Sequence, residues 1–510
     1  MKTAVKPTLA MLCLALLATL PLAAQDLASI EKRVTVHKMK NGLTAVIYER
    51  PEAPVFSFFT VVDAGSVQDP KGMTGLAHMM EHEAFKGTDK IGTTNWPAEK
   101  AALARLEVAY AAYRAELDKT TGRDEKKLAQ LEKAFNDARA AADKFVVKNE
   151  FSKILDSNGA VGVNAFTAND ETGYFYSFPS NRLELWAYLE SERFLHPVMR
   201  EFYTERDVVY EERRMRTDSS PIGRLVEQFL AAAFTAHSYR NPPVGWPGDL
   251  KNFSATDAMN FFKKYYIPSN MVVGVVGDVK AAPTIAILEK YFGRIPSGPK
   301  PPEYATSEPP QSSERRVVLR EATQPIVIEG YHRPNYRDPD DAGYDVLADL
   351  LSRGRTSRLY RSLVRDQKIA LQAQGFTNFP GVKYAELFAF LLVPNAGHTP
   401  EEIIAAARKE LDRLRNEDVS DEELASVKTR AKADIVRGLK ENDNLAEGLA
   451  EAQLRFGDWR ELFRHVDRID KVTKADIRRL ANKIFVPENR TLAFIENPPK
   501  PEAAPRKGGE

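Results

Sequence analysis

Two passages of this sequence repeat the same order of residues and predicted elements at a constant spacing. Residues 254–277 and 473–496 each predict an amphipathic helix, a short turn and an apolar strand. Four pairs of identical residues lie 219 positions apart (476 − 257): Asp257 with Asp476, Lys264 with Lys483, Pro268 with Pro487, and Asn270 with Asn489. The repeat therefore predicts a duplicated α+β unit, so that the chain holds two homologous domains.

A proline-rich passage lies between the two copies. Residues 297–316 contain several Pro residues and little hydrophobic patterning, which is typical of an interdomain linker. We therefore predict an N-terminal domain at 25–296, a C-terminal domain at 317–497 and a flexible tail at 498–510.

The first domain shows both strand and helix patterns. Apolar and polar residues alternate on either side of a Lys-Asn-Gly turn signal at 40–42, which indicates antiparallel strands. Residues 96–148 are rich in Ala, Leu, Glu and Lys at helical spacing, which predicts a helical-hairpin insertion with its turn near Gly122. This insertion is either a solvated elaboration, which we favour, or a surface for a partner or a gate. The predicted fold class is α+β, with an antiparallel-rich sheet packed with helices in each domain.

The first 24 residues have the features of a secretory signal peptide. A Lys-bearing start precedes an apolar run from about Leu9 to Leu22 and a small-residue exit at Ala23 and Ala24. The run is too short for a transmembrane span, and no later segment approaches the roughly 20 apolar residues that a span needs. We therefore predict an exported, most simply periplasmic, protein without a transmembrane span.

Composition restricts the chemistry of the mature chain. Its single cysteine, Cys13, lies within the predicted signal peptide, so the mature chain can form no disulfide and can bind no metal through cysteine. The formal net charge of 510 residues is +1, which argues against a nucleic-acid partner, because phosphate binding needs a clustered basic surplus.

The stretch "GLAHMMEHEAFKGT" at 75–88 carries the most specific chemical signal. On a helix, His78 and His82 are separated by four residues and project from one face, with Glu81 beside them. Two imidazoles in this arrangement can hold Zn²⁺, and the carboxylate can accept a proton from a water molecule on the metal. In a chain with 8 His the pattern should arise by chance about 0.01 times, so a metal site is favoured over coincidence.

A third ligand is available in a later acidic helix. Glu205 and Glu212 are seven residues apart, two helical turns, and share a face, whereas Glu211 points about 100° away. Taken alone, such a stretch is most often a solvated helix face. The other six histidines are predicted not to be ligands: His37, His196, His237, His332, His398 and His465.

These motifs together resemble the inverted-motif zinc peptidases of the pitrilysin and insulinase family, which includes the mitochondrial processing peptidases. Further similar stretches are "FKGT" after the histidines, "VNAFTANDETGYFYSFP" at 163–179, "ERDVVYEE" at 205–212, "VGDV" at 276–279 and "GRTSRLYRSLV" at 354–364. The resemblance covers nearly the whole mature chain.

The resemblance implies a role for each matching residue. His78, His82 and Glu212 are expected to hold one Zn²⁺ per chain, with Glu81 as general base and Glu205 as the carboxylate that orients a ligand. Asn164 and Ala165 are expected on an edge strand to which an extended substrate pairs through its backbone. Substrates should then be short peptides or unfolded chains.

Three features depart from the family pattern. The insertion lengthens the interval from His82 to Glu212 to 130 residues (212 − 82), and Glu83 stands where Met is more usual. In the second half, Val364 and Leu371 occupy the places of an Arg and a Tyr that complete the site in self-contained relatives. We therefore predict a homodimer, or a heterodimer with a homologous subunit that supplies the Arg/Tyr pair.

The predicted function is that of an exported zinc-dependent endopeptidase that hydrolyses peptides or unfolded polypeptides. An alternative is a non-catalytic binding or assembly subunit of the same fold, although binding alone gives no reason to keep Glu81 beside two ligands. A third and weaker alternative is a scaffold built on the helical insertion.

Overall fold

The computed structural model describes residues 29–498, so the predicted signal peptide and residues 499–510 of the predicted tail lie outside the described residues. The described chain contains two sheets flanked by helices, which confirms the predicted α+β class. None of its helices combines the length and the apolar character needed to cross a bilayer.

The first sheet has six strands in the order β1-β2-β6-β3-β5-β4. Its strands are β1 Val34–Lys38, β2 Thr44–Glu49, β3 Val55–Val62, β4 Val161–Thr167, β5 Thr172–Pro179 and β6 Met271–Gly277. Only β2 and β6 pair in parallel within this sheet, and the others pair antiparallel. Every residue of β6 is buried, because both faces of this central strand are covered.

The second sheet has five strands in the order β7-β11-β8-β10-β9. They are β7 Arg315–Arg320, β8 Val327–Arg333, β9 Ala370–Phe379, β10 Glu386–Pro394 and β11 Arg490–Glu496. Here only β7 and β11 pair in parallel. Because β7 begins at Arg315, the last two residues of the predicted linker belong to this strand.

Helices pack around the sheets, and sixteen α-helices have both ends within the described chain. Those before the linker are α1 Leu76–Glu83, α2 Trp96–Leu117, α3 Glu125–Asp143, α4 Glu150–Ser157, α5 Leu183–Leu195, α6 Phe202–Arg213, α7 Pro221–Ala233, α8 Pro247–Leu250, α9 Ala255–Tyr265 and α10 Ala281–Tyr291. Those after it are α11 Asp341–Ser352, α12 Pro400–Asn416, α13 Asp421–Gly438, α14 Asn442–Phe456, α15 Glu461–Lys471 and α16 Lys474–Ile484.

The repeated passages adopt the same local structure. Helices α9 and α16 each begin with a capping box, formed by Ser254 with Asp257 and by Thr473 with Asp476. The repeated asparagine also makes equivalent bonds, since the side-chain amide of Asn270 donates to Tyr265 O and that of Asn489 donates to Ile484 O, both at 3.0 Å. The identities noted in the sequence thus include the residues that begin the helix, Asp257 and Asp476, and those that lead from it to the next strand.

Each half contributes one helix to the sheet of the other half. Helix α14 packs on β3 and β6 of the first sheet, and helix α7 packs on β7, β8 and β11 of the second. Gly274 of β6 allows the first contact, because a Cβ there would lie 2.4 Å from Ala446 O. Gly330 of β8 allows the second, where a Cβ would lie 2.6 Å from the Phe229 ring. The two halves therefore share their cores.

The predicted insertion folds as a pair of helices, α2 and α3, joined through Gly122 at a φ of +67°. The pair is attached to α6 by packed rings, with Tyr110 and Phe135 centred 4.3 and 5.0 Å from Tyr203. The insertion thus lies against the helix that carries Glu205 and Glu212.

Candidate metal centre

The helix α1 is fixed at its N-terminus by a buried carboxylate. Asp69 accepts hydrogen bonds from the backbone amides of Gly75 and Ala77 at 2.7 and 2.8 Å, which satisfies two of the free N–H groups of the first turn. Gly75 has a φ of +92°, and a Cβ there would lie 2.6 Å from Val244 O. This position therefore requires glycine, which closes the loop between β3 and α1.

His78 and His82 lie on one face of α1, as the spacing predicts. Their rings are centred 4.8 Å apart and nearly perpendicular. His78 is 7% exposed, and its Nδ1 has no hydrogen-bond partner within the described chain. Leu76, Met79 and Met80 fill the core behind them, so apolar packing holds the imidazoles toward α6.

Helix α6 brings Glu212 and Glu205 to opposite sides of the two rings. Glu212 Oε1 lies 3.8 Å from His78 Nε2, and Glu212 Oε2 lies 3.5 Å from His82 Nε2. On the far side of the ring, His82 Nδ1 donates to Glu205 Oε1 at 2.9 Å. Glu205 is also ion-paired with Lys86. Glu205 therefore orients His82 and leaves its Nε2 facing Glu212.

The donor set fits a zinc ion. The ligand atoms of His78, His82 and Glu212 all lie within 4.8 Å of one another. Bonds of about 2.0–2.2 Å in a tetrahedral site place ligand atoms roughly 3.3–3.5 Å apart, close to the 3.5 and 3.8 Å found here. Two imidazoles and one carboxylate are also the donors that catalytic zinc uses, with a fourth position left open.

The two histidines carry different charges in the metal-free chain. Burial, together with the neighbouring charge of His82, lowers the pKa of His78 to about 4. Burial would also lower the pKa of His82, but its hydrogen bonds with Glu205 and Glu212 raise that pKa to about 9. At neutral pH His78 is therefore ready to bind a metal, whereas His82 holds a proton on the nitrogen that faces Glu212.

Zinc binding at pH 7 is expected to release close to one proton. A metal on His82 Nε2 must displace its proton, so zinc affinity should fall about tenfold per pH unit below pH 9. Calorimetric titrations in buffers of different ionisation enthalpy measure the number of released protons. Release of none would show that His82 is neutral before the metal binds.

Glu81 lies beside the ligands and is held by a threonine of the edge strand. Thr167 Oγ1 donates to Glu81 Oε2 at 2.7 Å. Burial raises the pKa of Glu81 above its usual value, while this hydrogen bond opposes the rise. Glu81 is therefore placed and partly desolvated, as a general base should be.

Replacing Thr167 with Val should move the acid limb of the activity profile to higher pH. Loss of a hydrogen bond to the carboxylate removes about 1.5–3 kcal/mol of stabilisation from its charged form and so raises the pKa of Glu81 further. The test is the pH dependence of kcat/KM, with Thr167→Ser as the control that keeps the hydroxyl. An unmoved limb in Thr167→Val would contradict this role.

The strand that carries Asn164 and Ala165 is at an open edge. β4 is the last strand of its sheet, pairs only with β5 within the described chain, and has an irregular register between Val161 and Asn164. Asn164 and Ala165 themselves pair with Phe175 and Tyr174. The outer edge of β4 lies beside Glu81, and the Ala165 amide donates to Asn164 Oδ1 at 2.9 Å, a bond that a pairing peptide would have to replace if this amide faces outward.

The second half has two positions where self-contained relatives carry an Arg and a Tyr, and these positions are not part of a second metal site. Val364 lies in a π-helical turn at Tyr360–Asp366, and Leu371 is 58% exposed on β9, the edge strand of the second sheet. Neither side chain can donate a hydrogen bond to a substrate.

Two other histidines, predicted not to be ligands, each lie near two carboxylates. His196 groups with Asp89 and Glu192, and His465 groups with Asp341 and Asp345. Cations already pair with an acid of each group: Lys90 and Arg294 with Glu192, and Arg333 with Asp341. We assign no metal to either group.

Known proteins resemble this chain in both sequence and fold. The family model described as Insulinase (Peptidase family M16) matches residues 45–107, and the model described as Peptidase M16 inactive domain matches residues 252–431. A zinc protease, PqqE, of Helicobacter pylori is 28% identical over 469 residues, which cover 90% of this chain and 91% of that protein.

Solved structures share the architecture. The crystal structure of a protease from Helicobacter pylori matches with a TM-score of 0.75 and 26% identity, over 91% of this chain and 99% of that one. A peptidase M16 inactive domain from Pseudomonas fluorescens matches with a TM-score of 0.71 over 91% and 98% of the two chains, at 15% identity, which is a likeness of fold alone.

Proposed function

This chain belongs to the pitrilysin and insulinase family of peptidases, and on that premise we propose that it is a zinc-dependent endopeptidase that cleaves short or unfolded polypeptides. The observation that carries the proposal is the convergence of His78, His82 and Glu212 around one point, with Glu81 adjacent and oriented by Thr167. A binding protein would need neither the base nor its threonine.

The residues divide the work of hydrolysis between them. Held by His78, His82 and Glu212, Zn²⁺ would polarise the scissile carbonyl and lower the pKa of the attacking water. Glu81 takes a proton from that water and returns it to the leaving nitrogen, so that one carboxylate acts first as base and then as acid. Glu205 keeps His82 oriented through its Nδ1 hydrogen bond.

The substrate is held by backbone pairing at β4. An extended peptide can add to the free edge at Asn164 and Ala165, next to the Thr167 that bonds Glu81. Such pairing requires an extended segment and reads few side chains. Folded proteins should therefore resist cleavage, whereas unstructured peptides should be cut.

The test is hydrolysis of a library of unstructured peptides by the purified chain. Zinc-loaded, chelator-treated and zinc-restored protein are compared by mass spectrometry of the products, with zinc measured on each sample and a stably folded protein as the control substrate. We expect the peptides to be cleaved and the folded protein to resist cleavage. This activity should be lost when zinc is removed by the chelator and should return when zinc is restored. Bound zinc without cleavage, in the presence or absence of a homologous partner, would favour the alternative of a non-catalytic binding subunit.

A partner subunit is part of the proposal. Because Val364 and Leu371 stand where self-contained relatives carry Arg and Tyr, a homologous subunit in a heterodimer is expected to supply that pair. Activity should then rise on mixing with the partner and should coincide with the dimer in light scattering. Full activity of a chain shown to be monomeric would refute this part.

We also propose that the chain is exported, to the periplasm in a cell with two membranes. The support is the leader-like composition of residues 1–24. Fractionation of cells that express the full chain, with N-terminal sequencing of the product, tests the export and the cleavage site.

A further inference from the structure

One guanidinium at the metal centre has no role in the mechanism described above. Arg216 follows Glu212 by four residues, and its Nη1 lies 2.8 Å from Glu212 Oε1. The side chain is 73% exposed, and Glu212 is its only ion-pair partner within the described chain. A guanidinium has five N–H donors, so most of those of Arg216 remain available.

The backbone that carries Arg216 is fixed although its side chain is exposed. Helix α6 continues into a π-helical turn at Arg214–Asp218, which the bond from Ser219 N to Arg214 O closes at 2.8 Å. Helix α7 packs directly against this turn, because a Cβ on Gly223 would lie only 2.2 Å from Arg216 O. The backbone at Arg216 is therefore held in place by packing, and the exposed side chain extends from it.

Four cations around the site each pair with an acid, and Arg216, at 73%, has the most exposed side chain of the four. Lys86 is bound to Glu205, Arg213 is buried against Glu227 at 2.7 Å, and Arg214 pairs with Glu211 at 2.9 Å. Arg216 is thus a positive charge beside Glu212 whose remaining N–H donors can bind a further partner.

We propose that Arg216 binds a carboxylate of the peptide substrate close to the scissile bond, so that the enzyme prefers segments with a negative charge at one position. A planar guanidinium binds a carboxylate through two parallel N–H···O bonds, which gives both affinity and register. The carboxylate can belong to an Asp or Glu side chain or to the C-terminus of the peptide. This inference rests on the proposed peptidase function.

The competing role for Arg216 is to hold Glu212 in place. In that case its loss would weaken zinc binding and slow the hydrolysis of all peptides equally. Recognition of a substrate carboxylate instead changes the ratio of rates between acidic and neutral peptides and leaves the zinc content unchanged. The two roles therefore differ in a measurable ratio.

The experiment compares matched peptides on zinc-loaded protein. Peptides with one common sequence carry Glu, Gln or Lys at each position on either side of the cleaved bond, and each is made with a free and with an amidated C-terminus. The protein variants are wild type, Arg216→Gln, Arg216→Glu and, as the matched control, Arg214→Gln, which removes a neighbouring exposed charge paired to Glu211.

We expect the wild type to cleave the Glu peptide about tenfold faster in kcat/KM than the Gln peptide at one position. That ratio should approach one in Arg216→Gln and should stay at the wild-type value in Arg214→Gln. Arg216→Glu should instead cleave the Lys peptide faster than the Gln peptide. It should also shrink as ionic strength rises. If the free C-terminus alone is preferred, the carboxylate is that of the chain end.

Binding is measured separately from turnover. Labelled acidic and neutral peptides are titrated into zinc-loaded Glu81→Gln with and without Arg216→Gln, and fluorescence anisotropy should show that only the acidic peptide loses affinity. Cleavage without a carboxylate preference, a preference that survives Arg216→Gln, or loss of zinc in Arg216→Gln would each overturn the inference. Failure of the wild type to cleave any peptide, with or without the homologous partner, would instead refute the proposed function.

Discussion

Glu81→Gln is expected to lower kcat by about 10²–10⁴-fold while zinc remains bound, because a neutral amide cannot take the proton of the attacking water. Glu81 is placed for that transfer by the 2.7 Å bond from Thr167, and burial raises its pKa, which makes it a stronger base than an exposed carboxylate. The measurements are peptide hydrolysis and the zinc content of the same sample.

The neighbouring acid provides a matched control. Glu83 is buried, neither carboxyl oxygen has a hydrogen-bond partner within the described chain, and burial raises its pKa well above the usual value. Burial thus favours the neutral form of its carboxyl, and Glu83→Gln replaces that group by an amide of similar shape. We expect this variant to retain its activity. If Glu81→Gln retained more than a tenth of wild-type activity, Glu81 would not be the general base.

The largest expected loss of stability comes from Arg200, which joins the insertion to the loop after α1. Its guanidinium, 1% exposed, donates to both oxygens of Glu99 on α2 at 2.6 and 3.0 Å. It also donates to three backbone carbonyl oxygens of the loop: Lys86 O at 2.6 Å, Thr88 O at 2.9 Å and Ile91 O at 3.1 Å. Arg200→Met should lower the free energy of unfolding by about 3–5 kcal/mol, because Glu99 would remain buried without a partner.

Denaturant unfolding monitored by circular dichroism measures this loss. Met at both Arg200 and Glu99 should recover part of it, since no unpaired charge then stays buried. Arg214→Gln, on the exposed side of the π-helical turn, should change the free energy of unfolding by less than about 0.5 kcal/mol. A similar small effect for Arg200→Met would show that the buried ion pair contributes no more than an exposed one.

The sequence predicted the parts of the site that depend on local spacing. Helical intervals separate His78, Glu81 and His82, and two helical turns separate Glu205 from Glu212. The sequence alone therefore placed each set together on one side of its own helix. The two sheets and the helical character of the insertion followed from hydrophobic periodicity and from the repeat.

Contacts between distant segments could not be read in the same way. Thr167 is one threonine among many, and only the pairing of β4 beside α1 brings its hydroxyl to Glu81. The π-helical turn that presents Arg216 adds a residue to a helix without altering any residue pattern. The groupings of His196 and His465 with acids also depend on tertiary folding. The sequence of an amphipathic helix indicates that one face packs on apolar residues, but it does not indicate which sheet the helix covers.

The exchange of α7 and α14 between the sheets has a consequence for dissection of the gene. Cut at the linker, the first fragment would lose the helix that covers Phe59 and Val272, and the second would lose the one that covers Gly330 and Ile328. Each fragment would expose an apolar sheet face and should be insoluble when expressed alone. When the two fragments are produced together in one cell, they should associate into a soluble complex that binds zinc. The linker is therefore a suitable site at which to split the protein as a reporter.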